Sequence, residues 1–191
     1  MNIKIRQILE ASLSVKQQVL NDPQLLDAVD KATETIVSAF RSGNKVLFCG
    51  NGGSAADAQH LAAEFSGRFY KDRTPLPSEA LHCNTSYLTA VANDYGYEFV
   101  YSRIMRGIGK KGDVLVGLST SGNSVNILEA YKVARELGVT IISLTGTTGG
   151  RMKDLSDLLI NIPSSDTPRI QECHITIGHI ICQLVEEALY Q

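Results

Sequence analysis

His60 and Glu64 lie four residues apart in a segment of high helix propensity, so an imidazole and a carboxylate share one helix face. Alone, the pair is as compatible with an ordinary surface contact as with a site. The residues just ahead add weight. Gly50-Asn51-Gly52-Gly53-Ser54 has three glycines in four positions, which lets a backbone turn sharply and approach a ligand closely. Ser54 reads as the N-cap of the helix that carries His60 and Glu64. Before the glycines, Val46-Leu47-Phe48-Cys49 is an apolar run short enough for a buried strand. A strand, a glycine loop and a helix point N–H groups and a positive helix end at one spot, which suits an anion such as phosphate. The loop has neither the Gly-Lys-Ser/Thr of a Walker A motif nor the dinucleotide G-x-G-x-x-G spacing.

The same pattern recurs. Asp113–Leu118 reads as a second buried strand, running into Ser119-Thr120-Ser121-Gly122-Asn123-Ser124 and then a helix over Val125–Leu137. A capped turn explains one of those hydroxyls but not four. A neutral loop holding an anion by hydrogen bonds and a helix terminus explains them all.

Elements must position these loops. Val139–Leu144 and Leu158–Ile162 read as further strands, and Glu79–His82 as a weak one. Helices are predicted over Thr85–Ala92, stopping at Asn93-Asp94, over residues 97–108 and over Pro168–Ala188. Alternating strands and helices imply a parallel sheet with right-handed crossovers and helices on both faces. Ligands of such sheets bind at the strands' carboxyl ends, where both loops fall. Two helices precede the first strand: residues 3–20, with Ile5, Ile8, Leu9, Leu13 and Leu20 at helical spacing, and a second from Asp22-Pro23 to about Phe40. The first has little place in a single-chain core and is expected to pack against another subunit. In the last helix, Gln171, His174 and His179 interrupt an apolar surface. His174 reads as a satisfied core histidine. His179 and Gln171 become site residues if they meet the His60–Glu64 face.

The totals narrow the classes. A chain of 191 residues with 43% hydrophobic and 20% charged content is expected to form one globular domain. A net charge of −2 without a basic run gives no footprint for nucleic acid. No apolar run reaches the ~20 residues of a membrane span, and MNIKIRQILEASL has no signal-peptide core. Cys49, Cys83, Cys173 and Cys182 have no C-x-x-C spacing and are expected to be buried free thiols, which fits a cytoplasmic location.

Taken together and in order, Cys49-Gly50-Asn51-Gly52-Gly53-Ser54, Gln59-His60 with Glu64, Asn93-Asp94, the 119–124 loop, Leu144-Thr145-Gly146 and Arg169-Ile170-Gln171-Glu172 with His179 resemble the sugar isomerase (SIS) domain family and, within it, its phosphoheptose isomerase group. The resemblance covers nearly the whole chain. It implies a three-layer α/β sandwich on a five-stranded parallel, flavodoxin-like sheet, one SIS domain over residues 1–191. It implies a homotetramer with shared active sites, with residues 1–42 in the contacts.

It also implies roles. Sugar phosphate would rest on Ser119, Thr120, Ser121 and Ser124, with Asn51, Gly52 and Gly53 along the substrate, Asn93 and Asp94 reaching it from a nearby loop, and Gln171 and Glu64 touching it. Glu64 matches the catalytic base and His179 the partner acid/base. Some members bind zinc through residues matching His60, Glu64, Gln171 and His179. The implied reaction converts sedoheptulose 7-phosphate to D-glycero-D-manno-heptose 7-phosphate, for surface polysaccharide. Taking a proton from C1 and returning one to C2 through an enediol needs a carboxylate beside carbon and an imidazole to manage the oxygen protons.

This chain departs from some members in having Pro168 where they carry an acidic group, and no carboxylate acts there. Two other readings stand beside the first. A non-catalytic branch of the family binds the replication initiator DnaA but lacks the acidic group matching Glu64 and the histidine matching His179; this chain has both. An isomerase of another phosphosugar would share the fold and the phosphate loop, differing in pocket depth.

Overall fold

The structure, a computed structural model, describes residues 3–190. Its five strands are β1 (Val46–Gly50), β2 (Ser78–Ala80), β3 (Val114–Ser119), β4 (Thr140–Thr145) and β5 (Leu158–Asn161). They form one all-parallel sheet in the order β2-β1-β3-β4-β5. That is the flavodoxin-like order, which reverses between β1 and β3 and opens a crevice at their carboxyl ends. The sheet and the helices on both its faces match the expected sandwich.

The helices are α1 (Ile3–Leu20), α2 (Pro23–Arg41), α3 (Gly53–Ser66), α4 (Thr85–Tyr95), α5 (Val100–Ile108), α6 (Val125–Leu137) and α7 (Thr167–Leu189). Strand alternation sorts the core into two layers. Val46, Phe48, Val114, Val116, Ile142 and Ile160 face α2, α3 and α7. Leu47, Cys49, Leu115 and Ile141 face α4, α5 and α6. Both β1 and β3 are buried along their whole length, as strands covered on both faces must be.

Several boundaries differ from the sequence expectation. Gly52, not Ser54, occupies the cap position of α3. Its φ of +55° turns the chain so that the helix starts at Gly53, and Ser54 becomes a buried residue of the first turn. Asn93 and Asp94 do not stop α4 but form part of its last turn, which runs on to Tyr95 and ends at Gly96 with φ +105°. The 97–108 segment is a 3₁₀ turn over Tyr97–Phe99 followed by α5. β2 is shorter than expected and leaves His82 in a turn. Cys83 is exposed, while the other three thiols are buried as expected.

α1 has Val15 as its buried residue. Ile3, Ile5, Ile8, Leu9, Leu13 and Leu20 are all more than half exposed. The helix is held to α7 by polar contacts: Ser12 Oγ donates to Glu172 Oε2 at 2.6 Å, and Arg169 Nη1 donates to the Ile8 carbonyl at 3.1 Å. Among the described residues no helix is long and apolar enough to cross a membrane.

Candidate functional site

Parallel strand order brings the two glycine and hydroxyl loops side by side. Asn51, in the loop after β1, and Asn126, in the first turn of α6, exchange amide hydrogen bonds of 2.9 and 2.8 Å. Tyr97 Oη donates to Asn51 Oδ1 at 3.2 Å, closing the crevice from the 3₁₀ turn. Gln171 comes in from α7: a Cβ built on Gly53 would lie 2.7 Å from its Nε2, so the amide fills the space that this glycine leaves open.

In the second loop Ser119 Oγ is 2.9 Å from Ser124 Oγ and 3.5 Å from Ser121 Oγ. Ser124 stands at the N-cap of α6 yet makes no side-chain cap bond, so its hydroxyl stays with the other serines. The loop is braced from β4 and the turn beyond it. Gly146 N donates to the Thr120 carbonyl at 3.1 Å, Met152 N to the Gly122 carbonyl at 2.9 Å and Arg151 N to Asn123 Oδ1 at 3.0 Å. The cluster of hydroxyls beside a helix N-terminus is the chemistry of a phosphate cradle.

The titratable residues meet between α3 and α7. His60 Nε2 lies 3.1 Å from Glu64 Oε1 and 3.0 Å from His179 Nε2, and the three ligand-type atoms all fall within 4.8 Å of one another. Glu64 is shielded while His60 is half exposed. The Phe69 ring packs on His179, centroids 5.7 Å apart. Two imidazoles and one carboxylate are a donor set that zinc accepts. Gln171, eight residues and about two helical turns before His179 on α7, has its amide against Gly53. Asp57, three residues before His60, has a buried Oδ2 with no hydrogen-bond partner, and burial pushes its carboxyl up while His60 draws it down.

Asn93 and Asp94 are exposed at the end of α4, where Asn93 Nδ2 donates to Asp94 Oδ1 at 2.9 Å. Asn51, Gly52, Gly53 and Gln171 therefore share one wall, Ser119, Thr120, Ser121 and Ser124 the adjoining loop, and His60, Glu64 and His179 the α3–α7 seam. His174 is fully buried, with Nε2 3.2 Å from the Thr145 carbonyl but Nδ1 without a partner, so this core histidine is only half satisfied.

Tyr97, Asn126, Phe69, Arg73 and Glu186 escaped the sequence reading. Glu186 left a signal, being an acidic residue in the apolar helix α7, and it is 2% exposed. Its carboxylate accepts from the N–H groups of Phe69, Tyr70 and Lys71 and from Arg73 Nε at 2.9 Å. Arg73 in turn caps α3: its guanidinium donates to the carbonyls of Glu64 at 2.8 Å and Phe65 at 2.9 Å. Breaking a buried pair of this kind by removing one partner costs about 3–5 kcal/mol.

The SIS domain profile matches residues 9–146. A phosphoheptose isomerase of Aneurinibacillus thermoaerophilus is 51% identical over 191 residues, covering 100% of this chain and 96% of that protein. One from Rhodospirillum rubrum is 57% identical over 162 residues, covering 85% of this chain and 86% of its own. The solved phosphoheptose isomerase of Neisseria gonorrhoeae superposes with a TM-score of 0.91 at 41% identity, over 96% of this chain and 97% of that one. On this profile match and these relatives, the chain belongs to the SIS domain family, alongside the phosphoheptose isomerases.

Proposed function

We propose that the chain is an aldose–ketose isomerase that converts sedoheptulose 7-phosphate to D-glycero-D-manno-heptose 7-phosphate, in the cytoplasm and toward surface polysaccharide. The observation that carries this reading is the meeting of Glu64, His60 and His179 within 4.8 Å at the seam of α3 and α7. Relatives named phosphoheptose isomerase, one of them matched over the whole of this chain, support it.

In this reading Ser119, Thr120, Ser121 and Ser124 bind the phosphate together with the α6 N-terminus. Asn51, Gly52, Gly53 and Gln171 line the sugar chain, and Asn93 and Asp94 reach it from α4. Glu64 removes the C1 proton and returns it to C2, while His179 moves the proton between O1 and O2. Each such group typically contributes 10²–10⁴-fold. His60, Glu64 and His179 would hold zinc through one ligand atom each, which leaves the second carboxylate oxygen of Glu64 and the other ring nitrogen of His179 for the proton transfers, and Gln171 would join as the fourth ligand by turning from Gly53. Zinc, when bound, would polarise the substrate oxygens as a Lewis acid.

The exposed apolar face of α1 supports a homotetramer in which subunits share sites, since six large apolar side chains on one helix would otherwise stay in water. Residues 1–42 would supply those contacts to a single SIS domain.

Incubating the protein with sedoheptulose 7-phosphate and following product by NMR, beside Glu64→Gln and His179→Gln, tests the reading. Turnover by the parent and loss of at least 100-fold in both folded variants is the expected result. An inert parent, with zinc supplied, would remove the heptose assignment and direct the search to other ketose phosphates.

A further inference from the structure

We propose that the buried Arg73–Glu186 pair is the positioning device of the proton-transfer site, setting Glu64 on α3 against His179 on α7. The proposal rests on the roles given above to Glu64 and His179.

The geometry runs through both partners. The last carbonyls of a helix have no partner within it, and α3 has no basic residue in its final turn. The cation comes from outside, from the loop that follows. Arg73 Nη2 donates to the carbonyl of Glu64 itself at 2.8 Å, and Nη1 to that of Phe65 at 2.9 Å. The guanidinium is therefore fixed to the backbone of the residue that carries the base. Its Nε is held at 2.9 Å by Glu186, and both side chains are 2% exposed.

Glu186 lies seven residues beyond His179, two turns along the same helix, so it shares a face with the second catalytic candidate. Its other contacts gather the loop: Tyr70 and Lys71 N–H at 2.9 Å and Phe69 N–H at 3.3 Å. That grip delivers the Phe69 ring to His179. The Arg73 guanidinium also lies over the Tyr190 ring, 5.6 Å from its centroid. One ion pair thus ties together the backbone of Glu64, the helix of His179 and the ring that packs on it. An ordinary helix cap needs only the first of these.

A positioning role and a merely structural one separate in the double variant Arg73→Met/Glu186→Leu. Replacing a buried pair by apolar groups of similar size is often neutral or stabilising, so it can keep the fold while removing the anchor on Glu64. We expect the thermal midpoint to fall, because the N–H groups of Phe69, Tyr70 and Lys71 and the carbonyls of Glu64 and Phe65 lose their side-chain partners. Assayed well below that midpoint, KM for sedoheptulose 7-phosphate should stay within about threefold and kcat should fall by roughly 30-fold or more, since small misplacements of catalytic groups reach about 10²-fold. A stable double variant with parental kcat would overturn the proposal. If the double variant does not fold, Arg73→Lys decides, assayed well below its own midpoint. Lysine keeps the charge but not the planar fork, so a kcat reduced about tenfold at unchanged KM supports positioning, and parental kcat overturns it. If the parent itself is inert, or Glu64→Gln keeps its turnover, the reading of the site fails first and this proposal fails with it.

Discussion

His60 Nε2 and His179 Nε2 face each other at 3.0 Å across the seam of α3 and α7, although 119 positions separate them in the chain. Two bare nitrogen lone pairs do not rest at that distance. Either one ring donates its proton to the other, or a cation lies between them and Glu64. Added zinc should therefore raise the unfolding midpoint, by an amount equivalent to about 2.7 kcal/mol when free zinc is at 100 times its Kd. His60→Gln should remove most of that rise. Scanning calorimetry with and without zinc measures both. Dialysis against a chelator should lower turnover and zinc should restore it; turnover untouched by chelation would leave the three residues without a metal.

The serine loop should govern affinity more than rate. Ser119 and Ser124 share a 2.9 Å contact and no cap bond engages Ser124. Replacing either with Ala removes one neutral donor to a charged group, worth about 1.5–3 kcal/mol. KM for the sugar phosphate should rise roughly 10-fold or more while kcat changes less. Steady-state kinetics would expose the opposite pattern, a fall in kcat at fixed KM.

Two glycines should fail differently. At Gly122 φ is +66° and an added Cβ would lie 2.1 Å from the Gly149 carbonyl. Gly122→Ala therefore strains backbone on both sides and should cost about 1–3 kcal/mol, read by chemical denaturation. At Gly53 the added Cβ meets the far end of the Gln171 side chain at 2.7 Å. That amide can move, so Gly53→Ala should leave stability nearly unchanged and impair catalysis. A large loss of stability at Gly53 would show that Gln171 is locked.

Acid should act through His174. Burial pushes its pKa down to about 4, although the Thr145 carbonyl favours the protonated form. The unfolded chain, with the ordinary value of 6.5, binds this proton first as pH falls. Stability from this residue is thus intact above pH 6.5, declines down to about pH 4, and has lost about 3 kcal/mol below that. His174→Gln should flatten this window in urea titrations; an unchanged slope would assign the acid sensitivity elsewhere.

The apolar face of α1 should report assembly. Leu13 is 65% exposed in the single chain. Leu13→Asp should shift the protein to smaller species by light scattering and leave each chain's sheet signal intact in circular dichroism. A monomeric parent with full activity would sink the tetramer.

The fold was legible because each signal is local. The full burial of β1 and β3 is written in continuous apolar runs, and the helix expected over Val125–Leu137 is found with both of those ends. Errors came where backbone torsion, not residue preference, sets a boundary. Gly52 at positive φ moved the start of α3 past Ser54, and Gly96 let α4 run through Asn93 and Asp94.

The site was legible in its residue types, not in its arrangement. By itself the sequence determined two phosphate-type loops, a His60–Glu64 face and polar interruptions in an apolar last helix, since periods of 2 and 3.6 residues place side chains on faces. Only the tertiary structure decided that His179 meets that face while Gln171 turns to Gly53. It also decided that Glu186, outwardly an ordinary helix acid, is the buried hub behind Glu64. The reason is physical. Spacing along one helix fixes which residues share a face, but the register of α7 against α3 follows from packing both on the sheet, and no local preference encodes it.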